Sequence, residues 1–447
     1  MNFDEALSYL LSLGHETLTI KLGLDNTYAL LSALGNPHKQ FPSVQIAGTN
    51  GKGSTAVMLE SICLAAGIRA GLFTSPHLIS ITERVSVGGQ EISESDFARL
   101  TQRVKTAAEG LLSNGRLETL PTFFEHITAI ALLFFREARV ELAILETGLG
   151  GRLDSTTAAA AQIVAITSIA IDHEEYLGDT LAKIAAEKAA IIRPGVTAIV
   201  APQAPDAFEV INRWCASVGV VPNIIGHDEI EAIAGNSAEG RFYFTLATEA
   251  DRYENLRLGL RGRHQVTNAA VAIALAEALR EHGFAISKQA ITLGIESAAH
   301  RGRLEMWIGP PRILFDGAHN PAAARSLRAY LAEFVNEPIT MIFGAMADKD
   351  LAEMAAILFP LADRLILTEL DNSRAATIGD LRASVPATID QRRVHHASSV
   401  IEAAQIGQEL SAPDGLICIT GSLYLVGALQ EYLRAPARVI ARRRAAN

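Results

Sequence analysis

The 447-residue sequence has few cysteines, few aromatic residues and no long uninterrupted apolar run. Its three cysteines, Cys63, Cys215 and Cys418, are widely separated in apolar surroundings, so a disulfide framework and a zinc site are not expected. The apolar run beginning at Ile127 is broken by charged residues well short of the roughly 18 residues that a bilayer span needs. The N-terminus is acidic where a signal peptide carries positive charge. We therefore expect a cytoplasmic protein that does not contact a membrane.

Basic residues are not in excess either, because the formal net charge is −10 at pH 7. A nucleic-acid partner is not expected, since it requires a basic face, whereas small anionic substrates need only local cations. Apolar residues make up 49% of the chain, which is typical of a folded protein. The length exceeds what a single core usually supports. We expect two unequal domains in a monomer.

The order of apolar segments predicts an α/β fold. From about Pro42 onward, short β-branched runs alternate with helical patterns, which indicates βαβ units on a mainly parallel sheet. Between about Gly226 and Gly262 the runs become shorter and alternate, which indicates a small antiparallel part. A second βα series then begins, and its pattern predicts a smaller doubly wound sheet. The predicted domains are residues 1–298 and 299–447.

The segment from Gly48 to Thr55, GTNGKGST, is the strongest chemical signal in the sequence. It lies between a predicted strand and a predicted helix, which is the context of a phosphate-binding loop. Glycines let backbone N–H groups point at phosphate oxygens, and the helix presents its positive end to the same anion. Lys52 supplies a charge for the outer phosphates, and Ser54 or Thr55 is placed to contact magnesium. A chance glycine-rich turn is the alternative.

Two further candidate side chains lie at or near predicted strand ends, and a third, Lys188, lies in a predicted helix. Glu146 ends one strand and His173 follows the next, where open α/β sheets place ligand-binding groups. Each is also compatible with an ordinary loop or surface position. Lys188 lies among alanines and isoleucines, a poor environment for an unpaired ammonium. Pairing with Glu187 or Glu174, or extension into solvent, is the simpler interpretation of Lys188.

The second βα series opens with RILFDGAHNP, which places Asp316 and His319 after its first strand. The same reasoning makes them candidates for a ligand-binding crevice. The alternative is local structure, with Asn320 capping the following helix. Arg301 and Arg303 precede this strand, and a guanidinium there suits a phosphate, although a surface salt bridge fits equally well.

Taken together, the motifs resemble those of a known family. The segments AGTNGKGST, FTSPHL, ILETGLGGRLD, DHEEYLG, EKAAIIRPG, GRHQVTNAA, GRLE and FDGAHNP occur in that order. The chain is similar to the folylpolyglutamate synthase and dihydrofolate synthase family, a branch of the Mur-type ATP-dependent amide ligases. The resemblance extends from about residue 4 to residue 427.

The resemblance implies an N-terminal P-loop ATPase domain and a C-terminal Rossmann-like domain. It implies that the loop residues Gly48, Thr49, Asn50, Gly51, Lys52, Gly53, Ser54 and Thr55, together with Asn268, Arg303, Asp316 and His319, bind ATP. It implies magnesium ligands at Ser75, Glu146 and His173, and a carbamate on Lys188 that holds a second magnesium. The implied catalytic residues are Lys52, Lys188 and His173. For Lys188 this implication replaces the simpler interpretation.

The resemblance also implies where a pterin-bearing substrate binds. Phe123 and Phe124 match the family segment that lies along the pterin, although core packing is the alternative for at least one of them. Arg152 and Asp154 match family positions near the substrate. The sequence departs from the family directly afterwards, because Ser155, Thr156 and Thr157 stand where alanine, threonine and asparagine are common. This departure weakens residue-level expectations at that turn.

The implied reaction is ATP-dependent ligation of L-glutamate to dihydropteroate, to the γ-carboxylate of folates, or to both. ATP would convert the acceptor carboxylate to an acyl phosphate, which the glutamate amine attacks. One alternative is another Mur-type ligase, but these usually carry a whole nucleotide-sugar domain before the loop, and too few residues precede Gly48. The other is a non-catalytic protein switched by ATP. We expect a bifunctional enzyme of folate metabolism.

Overall fold

The computed structural model describes residues 1–14, 23–226, 230–234 and 240–434. The chain forms two compact units. The first comprises the described parts of Met1–Ile233, Tyr243–Gly259 and Gln265–Ala299. The second comprises the described parts of Ala234–Phe242, Leu260–His264 and His300–Asn447. Within the described residues, no helix combines the length and apolar character needed to cross a membrane.

The first unit is built on an eight-stranded sheet with the order β4-β3-β2-β5-β1-β6-β7-β8. Its strands are β1 Ser43–Ala47, β2 Ala70–Phe73, β3 Val85–Val87, β4 Gln90–Glu91, β5 Leu142–Glu146, β6 Ile163–Ile166, β7 Thr197–Val200 and β8 Asn223–Ile224. Strand β1 pairs in parallel with β5 on one side and with β6 on the other. The carboxyl ends of these three strands therefore meet at one edge of the sheet, where α/β proteins bind ligands.

Ten helices accompany this sheet in the described ranges. They are α1 Phe3–Ser12, α2 Asp25–Ala33, α3 Lys52–Ala65, α4 Glu94–Ser113, α5 Phe123–Ala138, α6 Glu174–Leu177, α7 Leu181–Ala189, α8 Pro205–Ser217, α9 His264–Glu281 and α10 Lys288–Ser297. All five residues of β1 and of β5 are buried, as expected for central parallel strands covered on both faces. The predicted mainly parallel sheet is confirmed.

The antiparallel parts occur in two places. A three-stranded sheet with the order β11-β10-β9 contains β9 Ile230–Ala234, β10 Arg241–Ala247 and β11 Arg252–Arg261. Buried and half-buried residues alternate along β10, as expected for a strand with one covered face. The pattern change in the sequence predicted this part. The antiparallel pairs β2–β3 and β3–β4, at the edge of the large sheet, were not predicted.

The second unit is built on a six-stranded mixed sheet with the order β12-β13-β17-β14-β15-β16. Its strands are β12 Glu305–Trp307, β13 Arg312–Phe315, β14 Ile339–Phe343, β15 Arg364–Thr368, β16 Val394–Ala397 and β17 Leu416–Thr420. Its helices are α11 Pro321–Phe334, α12 Leu351–Leu358, α13 Ile378–Ala383, α14 Val400–Leu410 and α15 Leu423–Arg434. The α/β prediction is confirmed, but β12 pairs antiparallel with β13. The last thirteen residues of the predicted second domain, 435–447, lie outside the described residues.

The short segments that precede residue 300 are packed into the second unit. The Phe242 ring lies edge-on to the Phe334 ring, with 5.4 Å between centroids. The Arg263 guanidinium donates to both carboxylate oxygens of Glu333, at 2.8 and 2.9 Å. A Cβ atom on Gly240 would collide with the Tyr330 ring. These contacts join Gly240, Phe242 and Arg263 to helix α11.

Candidate active site

The phosphate-loop candidate is folded as a tight connection between β1 and α3. Gly51 caps the helix with a φ of 93°, a conformation that favours glycine. The Thr49 and Asn50 N–H groups donate to the Ser168 carbonyl, at 2.9 and 3.1 Å. The Thr49 hydroxyl donates to the Ala170 carbonyl and accepts from the Ala170 N–H. The loop is therefore fixed to the segment that follows β6.

Lys52 and the two hydroxyls after it occupy the start of α3. The Lys52 ammonium donates to the Gly48 and Thr49 carbonyls, each at 3.1 Å. The Ser54 hydroxyl accepts from the Gln265 amide at 3.1 Å. The Thr55 hydroxyl is fully buried, and no described residue is its hydrogen-bond partner. A buried hydroxyl without a partner is the kind of group that a bound cation or phosphate oxygen satisfies.

Asn268, predicted from the resemblance to contact ATP, lies against this loop. Its Nδ2 donates to Gln265 Oε1 at 2.9 Å, and Gln265 in turn reaches Ser54. A Cβ atom on Gly51 would collide with Asn268 Oδ1. The start of α9 and the phosphate loop are therefore in direct contact. Gln265 was not predicted, although it precedes Asn268 by three residues on the same helical face.

The contact between Gly51 and Asn268 leads to a prediction. Replacing Gly51 with alanine is expected to weaken ATP binding about tenfold, because the new methyl group displaces Asn268 and disturbs its buried hydrogen bonds. Calorimetric titration with ATP measures this effect. Gly67→Ala is the matched control, since Gly67 also has a positive φ, of 73°, but open space around it. Equal loss of ATP affinity in both variants would contradict the prediction.

Two of the predicted magnesium ligands, Ser75 and Glu146, are neighbours. The Ser75 N–H donates to Glu146 Oε2 at 3.1 Å, and Glu146 is 4% exposed at the end of β5. His173 follows β6 and starts α6 with a positive φ of 53°. Its N–H donates to the carboxylate of Asp172, a buried residue that the sequence analysis did not single out. Glu146 and His173 thus follow the two strands that flank β1.

Lys188 is 4% exposed on α7. Among the residues that the structure describes, its ammonium forms no hydrogen bond or ion pair. Glu187, the expected partner, is instead paired with Arg152. The pKa of Lys188 is lowered to about 7, mainly by burial and also by the Lys52 charge, while Asp172, Asp154 and Glu187 oppose the shift. Both simpler interpretations of Lys188 are therefore wrong.

Asp154 organises the loop between β5 and the short 3-10 helix Ser155–Ala159. One carboxylate oxygen accepts from the Gly148 and Leu149 N–H groups at 3.0 Å. The other accepts from the N–H and the hydroxyl of Thr156. Burial raises the pKa of Asp154, although these hydrogen bonds oppose the shift. The structure thus gives Asp154 a role in holding the loop, and direct contact with substrate stays a prediction.

The two phenylalanines differ in their surroundings. Phe123 is buried in the core, with the Arg84 guanidinium 5.4 Å from its ring centroid. Phe124 is half-buried, 5.7 Å from Phe73 between ring centroids. A Cβ atom on Gly148 would collide with the Phe124 ring. Of the two, Phe124 is therefore the one placed beside the loop after β5.

In the second unit, Asp316, His319 and Arg303 converge around Gly317. Asp316 is buried and accepts from the N–H groups of Leu304 and Ala318, both at 3.0 Å. Burial raises its pKa, while the Arg303 charge opposes the shift. The Gly317 carbonyl accepts from Arg303 Nη1 at 3.2 Å and lies 2.8 Å from His319 Nδ1. Asn320 caps α11, as the structural alternative predicted. Ligand binding by Asp316 and His319 stays a prediction.

The charged and polar groups near the strand ends of the first unit include Lys52, Glu146 and His173, but they do not form a complete set of metal ligands. Among the described residues, no three His, Cys, Asp or Glu side chains are grouped closely enough to hold a metal ion. A metal here would therefore need ligands of other kinds, such as the Ser75 hydroxyl and phosphate oxygens. The phosphate loop on a central strand, with a buried glutamate and a histidine at the adjacent strands, defines the chain as an ATP-dependent ligase of the Mur type.

Comparison with known proteins agrees with this class. The family model described as "Mur ligase middle domain" matches residues 46–276, and "Mur ligase, glutamate ligase domain" matches residues 302–423. The chain is 35% identical over 421 residues to dihydrofolate synthase/folylpolyglutamate synthase of Bacillus subtilis, covering 93% of this chain and 96% of the relative. The chain belongs to the folylpolyglutamate synthase/dihydrofolate synthase family.

Other relatives and solved structures give the same result. The Escherichia coli dihydrofolate synthase/folylpolyglutamate synthase is 38% identical over 384 residues, 84% of this chain and 83% of the relative. The chain spans 51% of a longer Halobacterium salinarum relative, a probable bifunctional folylpolyglutamate synthase/dihydropteroate synthase, at 36% identity over 427 residues and 95% of this chain. Mycobacterium tuberculosis folylpolyglutamate synthase complexed with ADP has a TM-score of 0.89 at 30% identity, covering 97% of this chain and 99% of that one.

Proposed function

We propose that this ligase joins L-glutamate both to dihydropteroate and to the γ-carboxylate of folates, forming ADP and phosphate. The observation that carries the proposal is Lys188, a buried lysine without an ion pair near the phosphate loop. A solved relative from Escherichia coli, FolC in complex with DHPP and ADP, supports the substrate class. Another, a bifunctional folylpolyglutamate synthase/dihydrofolate synthase, carries Mn, AMPPNP and L-glutamate.

The first step is the binding of ATP. The backbone of residues 48–55 surrounds the phosphates, and Lys52 exchanges its two carbonyl partners for phosphate oxygens. Asn268 contacts the nucleotide from the start of α9. Arg303, Asp316 and His319 are also proposed to contact ATP, because they match family positions. The buried, unpartnered Thr55 hydroxyl supports this assignment, because the loop lacks a partner for it.

Two magnesium ions are proposed to bind near the γ-phosphate. Ser75, Glu146 and His173 would hold the first, a set of oxygen ligands with one imidazole that suits a hard cation. The second needs an anionic group at Lys188. The neutral amine attacks carbon dioxide, forming an N–C bond and releasing a proton, and the resulting carbamate carries one negative charge on two oxygens. Bound magnesium would reduce the repulsion between phosphate and carboxylate.

The chemistry then proceeds without a covalent enzyme intermediate. The pterin-bearing carboxylate attacks the γ-phosphorus, ADP leaves, and an acyl phosphate forms. The glutamate amine attacks that carbonyl, and the tetrahedral intermediate collapses to an amide and phosphate. Lys52 stabilises the negative charge that develops as the phosphoryl group moves. Lys188 is close enough to Lys52 for the Lys52 charge to lower its pKa, which supports a role for Lys188 at this step.

The pterin is proposed to bind beside Phe124, where the half-buried ring meets the loop after β5. Arg152 is placed on the exposed side of that loop and is a candidate for the substrate's glutamate carboxylates, although it also pairs with Glu187. Phe123 is proposed to support the site from the buried core, and Asp154 by holding the loop at Gly148 and Leu149. The partners are thus ATP, L-glutamate and dihydropteroate or tetrahydrofolate, and we infer a cytoplasmic monomer.

A direct assay tests the function. The purified protein is incubated with ATP, magnesium and glutamate, with dihydropteroate or tetrahydrofolate as the acceptor. ADP release is expected only when an acceptor is present, and mass spectrometry is expected to find one added glutamyl residue on dihydropteroate and further ones on folates. Assays lacking glutamate are the control. Absence of acceptor-dependent ADP would refute the proposal, and a product from one acceptor only would refute bifunctionality.

A further inference from the structure

A single glutamine occupies the middle of the most buried strand in the first unit. Gln45 is 0% exposed within β1, between Val44 and Ile46. Its Nε2 lies 2.7 Å from the Thr157 hydroxyl and 3.0 Å from the Thr156 hydroxyl. A third hydroxyl, that of Thr147, is 3.2 Å away. A buried amide is costly unless it is hydrogen-bonded, and these contacts satisfy the Gln45 nitrogen, whereas its Oε1 has no hydrogen-bond partner among the described residues.

The direction of these hydrogen bonds follows from the other contacts of the two threonines. The Thr156 hydroxyl donates its hydrogen to Asp154, and the Thr157 hydroxyl donates its hydrogen to the Gly151 carbonyl at 2.7 Å. Both oxygens are therefore acceptors toward Gln45, whose amide nitrogen has two hydrogens to give. A flipped amide would place an acceptor against two hydroxyls with no hydrogen left. The network thus fixes the amide orientation.

The network leads from β1 to the glycine-rich loop at 148–154. Through Thr156, Gln45 supports Asp154, which binds the N–H groups at the start of the loop. Through Thr157, it supports the Gly151 carbonyl near the loop's end. Both ends of the loop therefore depend on one side chain in the strand that also leads into the phosphate loop.

This loop connects the two halves of the proposed acceptor site. Gly148 lies against the Phe124 ring, and a Cβ atom on Gly151 would come within 3.2 Å of the Lys188 Cα atom. The Arg152 N–H donates to the carbonyl of Glu187, which lies on α7 together with Lys188, at 3.0 Å. A shift of the loop would therefore change the separation between Phe124 and Lys188.

We propose that Gln45 is a positioning residue that holds loop 148–154 so that the pterin side and the Lys188 side of the site keep their spacing. The proposal rests on the proposed function for its catalytic consequence. Gln45 itself contacts no substrate.

Two variants test this role. Gln45→Met keeps the length of the side chain but removes its N–H donors. The buried hydroxyl oxygens of Thr156 and Thr157 then lose the hydrogen bonds that they accept from Gln45. Thr157→Val removes one of those hydroxyls with little change in shape. Each is expected to lower kcat/KM for dihydropteroate about ten- to a hundredfold, as for other groups that orient a site's ligands. The KM for ATP is expected to change less than about twofold, because the phosphate loop keeps its own contacts.

Hydrogen–deuterium exchange provides a readout apart from activity. The Gly148 and Leu149 amides, which donate to Asp154, are expected to exchange about tenfold faster in both variants. Gln162→Met is the matched control, because the Gln162 side chain accepts from the Ser43 N–H at the other end of β1. It is expected to leave both the exchange of these amides and kcat/KM for dihydropteroate unchanged.

The outcomes separate this inference from the proposed function. Unchanged exchange at Gly148 and Leu149 would refute the role of Gln45 in holding the loop. Faster exchange of these amides with unchanged kcat/KM for dihydropteroate would refute the positioning role. A rise in the KM for ATP that parallels the loss of kcat/KM would show general loosening of the site and would also refute it. A wild-type protein without acceptor-dependent turnover would refute the proposed function, while the exchange measurement would still decide whether Gln45 holds the loop.

Discussion

Replacing Lys188 with alanine is expected to lower ligase turnover about 100- to 1,000-fold while the protein stays folded. The reason is charge: the variant cannot form the carbamate, so the second magnesium loses an anionic ligand where negative groups from ATP and substrate meet. Since Lys188 is buried and without an ion pair, its removal breaks no hydrogen bond of the described residues. Acceptor-dependent ADP release measures the loss, and circular dichroism measures the fold.

Small carboxylates offer a second readout for Lys188→Ala. Short-chain acids fit the space left by the side chain and supply two oxygens with one negative charge, so partial recovery of turnover is expected when they are added. Lys183→Ala is the matched control, because Lys183 lies on the same helix but is exposed and paired with Asp179. Wild-type turnover in Lys188→Ala would eliminate the carbamate, and equal loss in Lys183→Ala would point to damage to the helix.

Replacing Lys52 with alanine is expected to lower turnover about 1,000-fold. The ammonium is held at the phosphate loop by the Gly48 and Thr49 carbonyls, close to where charge develops on the transferred phosphoryl group. Binding of dihydropteroate is expected to change little, because its proposed contacts lie beyond the loop. Steady-state ADP release and equilibrium binding of the pterin measure the two effects separately.

Lys288→Ala is the control for Lys52→Ala, since Lys288 is likewise the first residue of its helix but is half exposed and paired with Asp251. It is expected to retain wild-type turnover. ATP turnover at the wild-type rate in Lys52→Ala would remove the phosphate-loop assignment. Loss of pterin binding equal to the loss of turnover would mean that Lys52 acts on substrate binding instead.

The sequence was most informative where strands are buried on both faces. Strand β5 appears as an almost continuous apolar run, and β1 as a short apolar run interrupted by Gln45. A glycine follows each of them closely, so both strands and the loop at residues 48–55 were predictable. Glu146 and His173 were predictable as strand-end residues for the same reason. Strands β12 and β16 were not, because they are short, and β16 consists of Val-His-His-Ala without a clear apolar pattern.

Other features depend on contacts between distant segments, which no local pattern records. Phe123 and Phe124 are adjacent and equally apolar, so only the packing of α5 shows that the first is buried and the second faces a loop. The pairing of Glu187 with Arg152, which leaves Lys188 without that partner, joins residues 35 positions apart. Helix α7 also ends at Ala189, ahead of the helix-breaking pair Pro194–Gly195.

The assignment of residues 240–242 and 260–264 to the second unit has a consequence for modularity. A fragment that begins at His300 would lack Phe242 and Arg263, and would leave the α11 side chains Phe334 and Glu333 without these partners. Exchange of the C-terminal part between relatives at residue 300 would therefore cut through one hydrophobic core. A graft that carries residues 240–242 and 260–264 along with residues 300–434 would keep these partners together.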